Sequence, residues 1–192
     1  MEAVLLVATW LFALTHIDTA LVLIAFSADD EYSLGEILIG HYVGFSVGLG
    51  GAVMGSMFAA AFFAEWTFLL GFVPLTIGVW GVLQRREDYE LTTPTTVAGE
   101  VERIGVVTTA SIGISGENLA VFIPFFATLS SAELTTVIAL YVVGAGVLFA
   151  FAVSVSKPLV RIGVPTWVDR WLLPTVLILV GSYVVIAGWQ VA

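Results

Sequence analysis

Five long stretches of the chain carry no charged side chain, at residues 3–17, 37–64, 66–84, 134–156 and 171–192. Most of them match or exceed the roughly 17–25 apolar residues that an α-helix needs to cross about 30 Å of hydrocarbon. The stretch 3–28 is interrupted only by Asp18 and the stretch 104–132 only by Glu117. Each reads as one helix with an acid buried inside it. The pattern predicts an all-α membrane protein, a single transmembrane domain 1–192 with six spans at about 3–27, 36–64, 66–84, 104–129, 134–156 and 171–190.

The spans repeat. Sliding the second half over the first by 99 or 100 positions lays the acid of IDTALVLI (17–24) on that of GENLAVFI (116–123). The same shift lays YVVGAGV (141–147) on HYVGFSV (41–47), with Gly144 over Gly44, and Pro174 over Pro74. A three-span unit followed by its copy must enter the membrane the other way up. The expected architecture is therefore two inverted three-helix repeats, about 3–84 and 104–190, joined by a connection at 85–103. Transporters built this way bind near the bilayer midplane, at the repeat interface.

Composition agrees. The chain is 59% hydrophobic and 11% charged, with a mean hydropathy of +1.06, against about 25% charged residues in an ordinary soluble domain. The apolar run begins directly after Met1 and Glu2 with no basic residue before it, so the first helix is expected to stay in the mature protein. Arg85, Arg86 and Arg103 fall in the third connection, and Lys157, Arg161 and Arg170 in the fifth. These two connections share one side of the membrane. The positive-inside rule makes that side cytoplasmic and puts both termini outside a multi-pass cell-membrane protein. The net charge of −9 disfavours nucleic acid as a partner, and the absence of cysteine excludes disulfides and thiolate metal sites.

The candidate chemistry is at mid-membrane. Asp18 and Glu117 lie about fourteen to sixteen residues into their helices, close to half the depth of the bilayer. A carboxylate there costs at least about 2.5–3.5 kcal/mol on insertion scales. Two converging carboxylates also repel unless a proton or a cation lies between them. A divalent cation would neutralise both. Thr15 is one turn before Asp18, and Thr108, Ser111, Ser115 and Asn118 form a polar stripe leading to Glu117. The expected metal set is Asp18, Glu117, Asn118, Thr15 and Ser115. The two histidines, His16 and His41, join Ser111 as candidates for a gate or a supporting role around it. At two residues from Asp18, His16 reads as a packing or water-facing side chain. Gly113, Gly116 and Pro124 suit a kinked or unwound fourth helix. Gly40, Gly44, Gly48, Gly51 and Gly55 make the second helix smooth enough for close helix contact, and Trp66, Trp167 and Trp171 read as interfacial anchors.

Four motifs carry a family resemblance: THID (15–18), IGHYVGF (39–45), LGFVPLTIGVWGV (70–82) and SGENLAVFIPFFA (115–127). With them the chain resembles the CadD-type cadmium resistance transporters of the LysE-like exporter superfamily. The resemblance implies a six-helix inverted-repeat exporter of Cd²⁺ with the acids of the first and fourth helices in its permeation site. The chain departs from that family's pattern in having Glu117 for an aspartate, His41 for a glutamine and Thr19 for an acid or amide.

The function expected from these readings is secondary export of a divalent cation, Cd²⁺ by resemblance, with Zn²⁺ and Mn²⁺ also suited to oxygen ligands and an imidazole. The cation is substrate, and no cofactor is expected. Its entry would displace protons from Asp18 and Glu117. Two alternatives are export of a small organic cation or amino acid, and a non-transporting membrane subunit whose acids hold helices together. No nucleophile and base sit at matched depth, so an enzyme is not expected. Besides the metal ion the partners are the lipid bilayer and, for a small glycine-rich bundle, a second copy in a homodimer, which no single residue demands.

Overall fold

A computed structural model describes residues 2–63, 72–83 and 99–162, together with the isolated helical positions 175, 178, 179, 182, 185 and 186. Every described element is helical: α1 (Glu2–Thr15), α2 (Ile17–Ala28), α3 (Leu34–Phe63), α4 (Phe72–Leu83), α5 (Glu100–Ala127) and α6 (Ser131–Ile162). These six helices are not the six expected spans. The first expected span is split into α1 and α2, and the sixth falls on residues that, apart from the isolated positions, lie outside the described ones. Among the described residues Leu34–Ala61 and Ser131–Ser156 are each long and apolar enough to cross a membrane. The number rises to four if the bent pairs Glu2–Ala28 and Glu100–Ala127 each count as one span. Arg85, Arg86 and Arg170, on which the expected orientation partly rests, lie outside the described residues, as do Trp66, Trp167, Trp171 and Pro174.

The break between α1 and α2 bends the chain by 49°. Backbone bonds still carry the ladder past it, from the His16 amide to the Phe12 carbonyl and from the Ala20 amide to the His16 carbonyl. Side chains disturb the turn between them. The Thr15 hydroxyl donates to the Leu11 carbonyl at 2.8 Å, and the Asp18 carboxylate accepts the Thr19 amide at 2.6 Å. Such short-range bonds compete with the helical ladder. The turn expected to join Thr15 and Asp18 without interruption is thus broken at His16. In α5 a 59° bend separates Glu100–Gly116 from Asn118–Ala127, where glycine and the following proline favoured a kink.

Glycines decide how the helices pack. A Cβ at Gly40 would lie 2.6 Å from the Val107 Cβ, one at Gly48 2.6 Å from the Ser115 Cβ, and one at Gly55 2.7 Å from Ile123 Cδ1, while one at Gly44 would collide with the Ser111 Cβ. The row of small residues on α3 is therefore the groove that receives α5, the expected use of such a row between membrane helices. On the strip of α3 beside this row, Val43, Val47, Met54 and Phe58 remain exposed, which suits contact with acyl chains.

α6 packs in turn on α1 and α2. A Cβ at Gly144 would approach the Phe12 ring to 2.9 Å, and the Tyr42 hydroxyl donates to the Val142 carbonyl at 3.2 Å, across a separation of 100 residues. Two apolar cores result. One joins Phe12 of α1, Phe45 and Leu49 of α3, Phe122 and Phe126 of α5 and Tyr141 of α6. The other, toward the opposite end of the bundle, joins Leu23, Ile24 and Phe26 of α2 with Ile37, Val107 and Ala152.

Candidate ion-binding site

Between the helix breaks lies a small cavity lined by His16, Phe45, Gly48, Leu49, Ser115, Asn118 and Phe122. Glycine at position 48 keeps α3 low enough for Ser115 to reach its wall. Asn118, buried at 4% exposure, begins the second arm of α5, so the bend itself turns its amide into the interior. His16 occupies the corresponding break in the first half. Of the residues expected in the metal set, Ser115 and Asn118 line the cavity, and so does His16, expected as a gate or supporting residue or as a packing or water-facing side chain.

The remaining candidates sit around this space. Thr15 is buried with its hydroxyl donating to Leu11, and it does not line the cavity. Ser115 likewise donates to the Ser111 carbonyl at 2.7 Å; both hydroxyl oxygens keep a lone pair for another partner. Ser111 is buried against the α3 groove at Gly44. Asp18 opens α2 half-buried, its Oδ1 held by the Thr19 amide and, at 3.4 Å, by the Thr19 hydroxyl. It is not among the cavity walls. The side chain of Glu117 lies outside the described residues, so the expected meeting of the two acids does too. Among the described residues no group of three His, Cys, Asp or Glu side chains is placed to hold a metal.

His41 is buried at 1% exposure, beside Tyr42 and Phe45, and neither ring nitrogen makes a hydrogen bond of ordinary geometry. The Ala145 backbone acts on the ring at looser geometry. The buried Tyr141 hydroxyl likewise makes no hydrogen bond of ordinary geometry.

One charged contact escaped the sequence reading. The Glu36 Oε1 accepts from both Nε and one terminal nitrogen of Arg103, at 2.9 and 2.6 Å. Its other oxygen accepts the Ser33 amide at 2.7 Å, and the Ser33 hydroxyl accepts the Glu36 amide at 3.3 Å. The signal was in the chain: Ser33-x-x-Glu36 is the pattern of a capping box, which turns the glutamate back over the start of its helix. The same device, Ser130 with Glu133, starts α6.

A family model described as cadmium resistance transporter matches residues 12–191, nearly the whole chain. The chain belongs to the cadmium resistance transporter family. No curated protein and no solved structure matches it. For this transporter the apolar helices and the family agree on a place in a membrane, and the family speaks for transport and not catalysis.

Proposed function

We propose that the protein exports a divalent metal cation, Cd²⁺ in the first place, across the cell membrane through a site at mid-membrane to which Asp18, Glu117, Ser115 and Asn118 contribute. The observation that carries this reading is the cavity at the two helix breaks. Its polar wall is formed by Ser115, Asn118 and His16, residues of two of the four motifs that carry the family resemblance. Asp18 follows His16 by two positions, and Glu117 directly precedes Asn118. A divalent ion held there offsets the cost of keeping carboxylates out of water. The size favours an ion as well: the cavity leaves about 10 Å³ for the centre of a water-sized sphere, close to the least that holds a single water molecule.

The inverted repeat is part of the proposal. Exchanging the two halves converts the α3–α5 contact into the contact of α6 with the first span, Gly44 against Ser111 into Gly144 against Phe12, and the bend at Gly116–Asn118 into the break at His16. The bond between Tyr42 and Val142 joins equivalent positions, as expected where a two-fold axis passes between them. Rocking the halves about such an axis would expose the site to each side in turn. Membrane vesicles loaded with a metal-sensitive dye test the reading directly. Wild-type protein should carry Cd²⁺ and Asp18→Asn should not; full activity in that variant removes Asp18 from the site.

A further inference from the structure

His16 carries chemistry that packing alone does not use. Phe12 stacks on its ring at 4.0 Å between centroids, and Phe122 of α5 does so at 5.8 Å, both close to parallel. With its faces engaged, the ring can interact further only through its edge. Nδ1 lies 3.0 Å from the Phe12 carbonyl and 3.2 Å from the Thr15 hydroxyl. A carbonyl oxygen can only accept, so Nδ1 carries the proton and Nε2 holds the lone pair. Both nitrogens of His41 are sealed from solvent, but Nε2 of His16 is not among the sealed atoms, and among the described residues no hydrogen bond engages it. It belongs to a residue that lines the cavity. A ring nitrogen bonded to a backbone carbonyl, which fixes the tautomer and aims the other nitrogen, is the usual arrangement of a histidine that binds a metal ion.

We propose that His16 is a direct ligand of the transported ion, offering its Nε2 lone pair beside Ser115 and Asn118, and that this imidazole biases the site toward Cd²⁺ and Zn²⁺ over Mn²⁺, Mg²⁺ and Ca²⁺. The inference rests on the cation reading of the cavity and adds to it the donor that sets preference. Hard cations gain little from imidazole, whereas borderline and soft ones bind it well. The aromatic faces assist, because a metal-bound imidazole becomes electron-poor and is better stacked against them.

The protein has only two histidines, which makes a direct observation practicable. Purified protein with ¹⁵N-labelled imidazoles gives two ring spin systems, assigned with His41→Gln, and is titrated with Cd²⁺. The expected result is a displaced His16 Nε2 resonance with Nδ1 still protonated. In vesicles, His16→Gln should lower the Cd²⁺-to-Mn²⁺ flux ratio by about tenfold or more. An unmoved Nε2 resonance and an unchanged ratio, while wild-type Cd²⁺ flux continues and still depends on Asp18, overturn the role of His16 alone. Absence of any divalent flux in the wild type, with no shift in either ring, overturns this inference together with the proposed function. Because the resonance is read in the wild-type protein, a misfolded variant cannot imitate either result.

Discussion

The glycine row of α3 makes a graded prediction, because one substitution at neighbouring sites meets different surroundings. Alanine at Gly40 places its methyl 2.6 Å from the Val107 Cβ and 2.9 Å from the Ile104 carbonyl; at Gly48 it lies 2.6 Å from the Ser115 Cβ. Ordinary carbon contacts are about 3.5–4.0 Å, so α3 and α5 must separate by roughly 1 Å. Overpacking of that kind costs about 1–3 kcal/mol, against which alanine returns up to about 1 kcal/mol of helix propensity. At Gly51 the nearest atom, Leu119 Cδ2, is at 3.6 Å, and at Gly50 nothing lies within 4 Å. Thermal unfolding in mild detergent should therefore fall by several degrees for Gly40→Ala and Gly48→Ala, at about 2–4 °C per kcal/mol. It should stay level or rise for Gly50→Ala and Gly51→Ala. Equal midpoints at all four positions would refute the packing of α5 into this groove.

Charge reversal at either end of the Glu36–Arg103 contact should lower the thermal midpoint, and the swapped pair Glu36→Arg with Arg103→Glu should restore most of it; if the double variant melts no higher than the singles, the pair does not join α3 to α5. Phe122→Leu keeps most of the volume but removes the ring that stacks on His16, so Cd²⁺ flux should fall while the midpoint moves little. Phe122→Ala should cost about 3–5 kcal/mol as a large-to-small change in a packed interior and visibly lower the midpoint. Ser130→Ala removes the cap of α6 and should cost about 0.5–2 kcal/mol, read as a small drop in midpoint with transport retained.

Much of the fold was legible because hydrocarbon imposes a simple rule on long stretches: the run 37–64 is covered by α3 as far as Phe63, and the run 134–156 falls inside α6. The glycine spacing on α3 announced a close contact, and its partner proved to be the polar stripe of α5, where Ser111 and Ser115 serve packing as well as polarity. The split at His16 was not legible. Thr15-His16-Ile17-Asp18 contains neither glycine nor proline, and what disturbs the turn is hydrogen bonding by its side chains, which depends on rotamers that a sequence does not display. The same bonds explain why His16 read as a gate or packing residue and not as one of the metal set. On a straight helix it faces away from Asp18, whereas across a 49° bend it turns to a cavity shared with α5. The Glu36–Arg103 contact was hidden for another reason, since it joins residues 67 positions apart, and only the local capping pattern could be read from the chain.

That contact also has a mechanical consequence. It ties the first turn of α3 to the first turn of α5, while the Ser33 amide holds the same carboxylate by its other oxygen. Parting those two helix ends means breaking charge-assisted hydrogen bonds, roughly twice as strong as neutral ones. The seam between α3 and α5 is thus latched at one end by charge and closed along its length by touching backbones, so prising it open is easiest at the end away from the latch.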